Sequence, residues 1–459
     1  METTARLAPL RAAYQALFAG RRARLVMSIA LIGLAAVLLL RLSSFMFDPT
    51  QKRHSMMPGN PTLSLHSCLS AYIAAADRLG EPGSPLYAPE SYPRQAHLVG
   101  RGISIGAFEQ DKYEYPPPFL LLPKALLLIS RDFVVLRAVW FVLSLVAVLV
   151  AMGSVAVWLG GKEGLAVAVL TPFCWASFIH LITLQMGNVQ FVLFAASIAA
   201  MVAFDRNRPA LGGALLAFAI CTKIYPGLLC LVLLMQRRFR ELLMVLGFAL
   251  FYCAVFVALF GLSPFREFLF FQLPRLLSGE AFAFFKETIE SKAANGSIFG
   301  LPYRLQLLGL VQNPDAIAPS LNRLYGFALL LFSGWVTWWA HRQVGQDRPL
   351  PRVTCAILWI ALLNLAALQA PFAPSYTRLG TLWALCIWAP FASRFFRRAA
   401  LFAAGWLAIT LVIPRPQSLL LITGLLAQTA HISINWALLF WASGYARAHS
   451  QPSRSGPDE

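Results

Sequence analysis

Long apolar runs separated by short basic connections set the layout of this chain. The first covers residues 25–47 and is interrupted only by Arg41, close enough to the end for its stem to reach the interface. Further apolar segments fall at about 133–159, 165–183, 189–204, 208–223, 225–236, 241–260, 322–341, 353–370, 376–391, 399–413 and 418–445. Many approach the length of ~20 residues that an α-helix needs to cross the hydrocarbon core of a bilayer. Together they predict an all-α polytopic membrane protein, a bundle of about twelve transmembrane helices.

Two long segments break this rhythm and form large loops. Residues 47–132 hold His66 and, with Asp48, Asp77, Glu81, Glu90, Glu109, Asp111 and Glu114, a large share of the chain's 20 acids, and include Glu114-Tyr115-Pro116-Pro117-Pro118. Residues 261–321 mix Arg266, Arg275, Lys286, Glu287, Lys292 and Arg304 with Phe265, Phe268, Phe270, Phe271, Phe282, Phe284 and Phe285. That mixture suits helices lying at headgroup level. The apolar stretch 118–130, with Pro123 and Lys124, is too short to span and reads as a re-entrant or surface-lying helix.

Charge adds sidedness. Arg206/Arg208, Arg237/Arg238/Arg240, Arg342/Arg348/Arg352 and Arg394/Arg397/Arg398 sit in short connections, and Arg6, Arg11, Arg21, Arg22 and Arg24 precede the first run. By the positive-inside rule these positions are cytoplasmic. The expected organisation is a cytoplasmic N-terminus 1–24, a transmembrane domain 25–445 and a polar, disordered cytoplasmic tail 446–459. Both large loops then lie outside, with the tip of a helix hairpin broken at Cys221-Thr222-Lys223-Ile224-Tyr225-Pro226-Gly227. The first run is too long for a signal-peptide core and lacks a small-residue cleavage site, so it reads as a retained helix.

Composition excludes several classes. The chain is 58% hydrophobic and only 13% charged, about half the charged share of an ordinary soluble domain. Its net charge of +18 is spread over short loops, which argues for sidedness and against a nucleic-acid partner. The 7 cysteines show no CxxC spacing, and all but Cys68 fall inside apolar helices as small hydrophobes. Neither a disulfide framework nor a thiolate metal site is expected from that usage. No P-loop, GxSxG, HExxH or EF-hand is present, and no internal repeat.

Candidate chemistry gathers on the outer side. Asp48, the acid nearest the membrane, is placed to take a proton from an acceptor hydroxyl, although Asp-Pro is also an ordinary way to end a helix in a turn. His66 opens an amphipathic helix expected over 65–79, with Tyr72 and an Ala74-Ala75-Ala76 face. Lys223, with Tyr225, stands at the depth of a lipid-linked phosphate, where an ammonium stabilises a leaving group; a snorkelling lysine would stand there too. Asn188 and Gln190, in Met186-Gly187-Asn188-Val189-Gln190, either cap the next helix or bond a sugar hydroxyl. Arg304 beside Tyr303, and Arg378 after Tyr376, add outward-facing cations. Intramembrane Asn364, His431 and Asn435 read as bridges between helices.

One set of these residues resembles a known family. Tyr72-Ile73-Ala74-Ala75-Ala76, Tyr115-Pro116-Pro117-Pro118-Phe119-Leu120-Leu121, Gly187-Asn188-Val189-Gln190, Asp205-Arg206-Asn207-Arg208-Pro209 and Lys223-Ile224-Tyr225-Pro226 follow one another in order and spacing over about residues 25–240. Together they resemble the polyprenol-phosphate-sugar-dependent glycosyltransferases of the GT-C class, and most closely glycosyltransferase family 87. The resemblance implies transfer of a sugar, commonly mannose or arabinose, from a polyprenyl-phosphate donor to a glycan or glycolipid acceptor outside the cytoplasmic membrane. It further implies an acid of the first outer loop as base, inversion at the anomeric carbon, surrounding membrane lipids as partners, and neither a cofactor nor a bound metal. The chain departs from the family where that acid is expected, a few residues before the Tyr-x-Ala-Ala helix. There it reads Leu65-His66-Ser67-Cys68, so the expected base is Asp48, with His66 as its partner or substitute. Tyr115, Asn188, Gln190, Lys223, Tyr225, Arg304 and Arg378 are the expected substrate-binding residues. The competing readings are a transporter or flippase of a lipid-linked or small polar substrate, and a non-catalytic scaffold that has lost the acid.

Overall fold

A computed structural model describes residues 21–81, 85–344, 349–392, 395–411, 413 and 416–450. Expectations placed on residues 1–20, on Arg348 and Arg394, and on 451–459 lie outside the described residues.

The chain folds as a nearly all-α membrane protein, its β-structure among the described residues confined to the short hairpin Leu98–Val99/Ile103–Ser104 and one isolated bridge. The apolar segments form helices close to their expected positions: Phe133–Leu159, Gln190–Asp205, Pro209–Thr222, Leu228–Met235, Phe239–Phe260, Pro314–Val344, Arg352–Ala367 and Leu379–Trp388. Asp132 starts the first of these, its Oδ1 accepting the Val134 N–H at 2.7 Å. At the chain ends the helices are longer than expected, Arg21–Phe47 and Gln417–Ser450, so helix reaches into the segment expected to be a disordered tail.

The count of spans is where the structure differs most from the sequence expectation. Among the described residues, five helices are long and apolar enough to cross a membrane, or six if the bent pair Gly161–Trp175 and Phe178–Met186 is one span. The other apolar helices have 10–17 residues, shorter than a single crossing needs. Burial gives the reason. The long helices keep between 11% and 44% of the spanning window inside the protein, and their remaining surface is left for lipid. Gln190–Asp205, Arg352–Ala367 and Leu379–Trp388 are buried almost throughout. Broken or short helices leave backbone groups unpaired at their ends, and at membrane depth this is tolerable only inside protein. Two of these helices are tied to each other and to the long helix Gln417–Ser450: Asn364 Nδ2 donates to Asn435 Oδ1 at 3.0 Å and to Thr381 Oγ1 at 3.1 Å, and Thr381 meets His431 Nδ1 at 2.9 Å. These are the bridging amides and histidine that the sequence singled out.

The long polar segment folds onto the ends of the bundle. Residues 65–79 form no single amphipathic helix. A short helix, Pro61–Leu65, breaks at His66–Cys68, and Leu69–Arg78 follows with every residue from Leu69 to Asp77 buried. The segment 118–130 holds the end of a 3-10 turn, Pro117–Leu120, and a short helix, Leu121–Leu126, together too short to cross; Lys124 Nζ donates to Ala76 O at 2.9 Å. Arg137 reaches from Phe133–Leu159 to the end of the first helix and donates to Phe45 O and Met46 O at 2.8 and 3.0 Å. It thereby satisfies carbonyls that have no partner inside their own helix.

Asp77 closes the segment over Leu69–Arg78. Its carboxylate is fully buried, with Arg131 at 3.1 Å and Arg101 at 3.5 Å, and it accepts the Arg101 backbone N–H at 2.5 Å. Gly100 is required there: its φ is +56°, and a Cβ would stand 2.6 Å from the Asp77 carboxylate. Asp77→Ala removes a charged acceptor from a buried N–H and is expected to lower stability by about 2–3 kcal/mol. The check is the melting temperature in detergent; an unchanged value would mean that these contacts contribute nothing.

Candidate active site

The site forms where the long polar segment meets two helix ends. Cys68 N–H donates to Met186 O at 2.8 Å, which joins the start of Leu69–Arg78 to the turn Gly187–Val189. Gly187 takes φ +63° in that turn, and its carbonyl accepts Trp140 Nε1 at 2.8 Å. Residues 109–111 lie beside 65–70: Glu109 N–H donates to Leu65 O at 3.1 Å and Asp111 N–H to Ser70 Oγ at 2.9 Å. This pairing carries Asp111 to His66, with Asp111 Oδ2 3.7 Å from His66 Nε2. The same ring nitrogen lies 3.5 Å from Cys68 Sγ.

Lys223 faces this group from the break between Pro209–Thr222 and the turn Tyr225–Gly227. Its Nζ donates to Gln190 Oε1 at 3.2 Å and lies 5.4 Å and 5.8 Å from the ring centres of Tyr115 and Tyr376. Lys223 keeps partial access to solvent, yet burial brings its ammonium down to about 8. The partly exposed ammonium lies against two aromatic faces, which replace water around it and wall a recess. Cys68 lies within electrostatic reach of both Asp111 and Lys223, so the two charges share one neighbourhood. Behind the recess, Tyr72 OH donates to Tyr115 OH at 3.0 Å and accepts the Val189 N–H at 3.2 Å. Glu114 is half-buried next to Tyr115, its Oε2 enclosed and unpartnered among the described residues. Burial, and next the Asp111 charge, push its carboxyl well above the usual range.

The sequence candidates divide into three groups. His66, Tyr115, Lys223, Gln190 and Tyr225 come together, Gln190 Nε2 donating to Tyr225 OH at 2.5 Å. Asn188 stands beside them but is engaged: Oδ1 accepts the Gln190 N–H at 3.0 Å and Nδ2 points at Cys68 Sγ at 3.4 Å. Its amide therefore caps the helix start and reaches the thiol. Arg378 lies two residues beyond Tyr376 on the turn Ser375–Arg378, and its charge is felt by Arg304. Arg304 is fully buried, and among the described residues its Nε and Nη2 have no hydrogen-bond partner, which leaves donors free for an anion. Asp48 stays with its turn: Oδ1 accepts from Thr50 N and Oγ1 at 2.9 and 2.6 Å, and Oδ2 from Gln51 Nε2 at 3.3 Å. These bonds hold its carboxyl below the usual range and are those of an Asp that ends a helix. Asp111, Cys68 and Tyr376 were not singled out as site residues by sequence. Asp111 stands far along the chain from His66, and only the pairing of 109–111 with 65–70 reveals it.

The opposite end of helix Gln190–Asp205 carries a different cluster. There Trp158 Nε1 donates to Asp205 Oδ2 at 2.6 Å, Arg352 lies 3.6 Å from the same carboxylate, and Arg238 Nη2 donates to Phe204 O at 2.7 Å. Sixteen residues at about 1.5 Å each place this arginine-rich end about 24 Å from Gln190.

The family model of glycosyltransferase family 87 matches residues 113–371, more than half of the chain. The chain belongs to glycosyltransferase family 87. Within that match lie Tyr115, Gln190, Lys223, Arg304 and the end of the recess nearest the bundle, whereas His66, Cys68 and Asp111 precede it. No curated protein matches the chain.

Proposed function

We propose that this family 87 member moves a mannose-like or arabinose-like sugar from a polyprenyl-phosphate donor to a hydroxyl of a glycan or glycolipid, at the outer face of the cytoplasmic membrane. The observation that carries the reading is the chain of contacts at one end of helix Gln190–Asp205 that runs from Lys223 through Gln190, Asn188 and Cys68 to His66 and Asp111. The arginines at the other end of that helix support a cytoplasmic placement there, an outward-facing recess, and both chain ends inside.

In this mechanism Asp111, assisted by His66, takes the proton of the acceptor hydroxyl as that oxygen bonds the anomeric carbon. The bond from that carbon to the donor phosphate breaks, and the electron pair leaves on the phosphate oxygen. Lys223 stabilises this charge, with the buried guanidinium of Arg304 and with Arg378 as further donors. Gln190 holds the lysine, Tyr225 holds Gln190, and the rings of Tyr115 and Tyr376 keep water from the ammonium. Asp48 is left to its turn, and the base passes to the acid that the fold delivers to His66.

The test is transfer by the purified protein in detergent, supplied with radiolabelled polyprenyl-phosphate sugars and a membrane-glycolipid extract. Labelled glycolipid from one donor class is the expected product. A well-folded protein that transfers from none of them, yet moves the labelled lipid across a vesicle membrane, would replace the reading with that of a flippase.

A further inference from the structure

We propose that His66, Cys68 and Asp111 form a binding site for a divalent cation of the zinc type, set in the floor of the recess beside Lys223.

The three ligand atoms all lie within 4.8 Å of one another. A tetrahedral zinc ion with bonds of ~2.3 Å to sulfur and ~2.1 Å to nitrogen or oxygen separates its ligand atoms by roughly 3.4–3.6 Å. The spacings here are 3.5 Å from His66 Nε2 to Cys68 Sγ and 3.7 Å from His66 Nε2 to Asp111 Oδ2. Two of the three separations are thus at coordination spacing before any ion is added. Thiolate and imidazole are too soft a pair for magnesium or calcium, and with one carboxylate they suit zinc.

The same residue types invite comparison with a Cys-His-Asp relay, and the geometry argues against it. A relay needs the nucleophile on one ring nitrogen and the carboxylate on the other. Here both neighbours meet Nε2, so the three groups converge on one point in the way ligands converge on an ion.

Charge and the surrounding bonds agree. The Cys68 thiol is buried and free of any disulfide. A bound cation deprotonates it outright, and the thiolate and carboxylate then balance a divalent charge. Asn188 Nδ2 points at the sulfur at 3.4 Å and is itself fixed through the Gln190 N–H, the kind of outer bond that orients a metal ligand. Lys112 N–H holds the second carboxylate oxygen of Asp111, Oδ1, at 2.9 Å, which leaves Oδ2 to the ion. Three protein ligands leave a fourth position open, the arrangement of a working rather than a structural zinc site. If the transfer reading above holds, an acceptor hydroxyl in that position becomes a stronger acid, and its proton passes to Asp111 Oδ1. The site itself does not depend on that reading.

The experiment is metal uptake by the full-length protein in detergent, stripped with chelator and with no sugar donor present. Wild type is expected to bind one equivalent of Zn²⁺, to melt at higher temperature with it, and with Co²⁺ to show tetrahedral d–d bands and a thiolate charge-transfer band. Cys68→Ser is expected to abolish that band and to weaken binding by about 100-fold, and Asp111→Asn to weaken it by about 10-fold. A charge-transfer band that survives Cys68→Ser, or no stoichiometric uptake by wild type, would overturn the proposal. Should Cys68→Ser fail to fold, wild type still decides through its Zn²⁺ stoichiometry and melting shift. Because no donor is used, loss of the metal site and loss of the transferase reading are told apart.

Discussion

Asp111→Asn is expected to lower the rate of sugar transfer by about 10²–10⁴-fold, the range that a positioned general base contributes. The substitution keeps the size of the side chain and an oxygen for the Lys112 N–H, so the backbone at 109–111 keeps its pairing with 65–70. What disappears is the capacity to accept a proton. The loss should therefore appear in kcat with little change in KM, and with Zn²⁺ saturating so that weakened metal binding is not mistaken for a missing base. Asp48→Asn measured beside it compares the two acids directly. A loss confined to Asp48→Asn, with Asp111→Asn close to wild type, would return the base to the turn after the first helix.

Lys223→Met should cost about 10²–10³-fold in transfer, the scale on which removal of one preorganised charge-stabilising group acts. The pH profile carries the more specific signature. Burial lowers the ammonium to about 8, so the charged form is fully present well below that pH and is lost as pH rises through it. Wild-type kcat/KM, which reports the free enzyme, should accordingly fall with rising pH across that window. Lys223→Arg, whose cation persists to much higher pH, should move this limb out of range, and Lys223→Met should lack it. An alkaline limb retained unchanged in Lys223→Met would assign it to another group and remove Lys223 from phosphate stabilisation.

Much of the scaffold was legible in sequence. Phe133–Leu159 matches its apolar run end for end, and the hairpin break at Lys223–Gly227 stands where proline and glycine announce it. Such features depend on residues close together in sequence, through helix length, capping by Asp132 and missing backbone donors. The number of crossings was less legible, because an apolar run of 10–17 residues has the same composition whether it faces lipid or is enclosed by other helices.

The site divides in the same way. Lys223, Gln190 and Tyr225 were recoverable from the sequence because a broken helix tip and a helix start are local events. His66 drew notice, but its partners did not. Cys68 stands apart from the helix cysteines but shows no partner until Asn188 and His66 are seen beside it, and Asp111 reads as one acid among several. Asp48 reads as a base because it is the acid nearest the membrane, yet its oxygens are committed to Thr50 and Gln51.

By itself, then, the amino-acid sequence determined an α-helical membrane protein of glycosyltransferase family 87 with a lysine at a broken helix tip, since hydropathy, helix breaks and motif order are carried by neighbouring residues. Only the tertiary structure decided which acid meets His66, and that Cys68 completes a three-ligand group. The backbone pairing of Glu109 with Leu65 and the Ser70 bond to Asp111 join distant parts of the chain, and a contact across a long loop leaves no local pattern from which to read it.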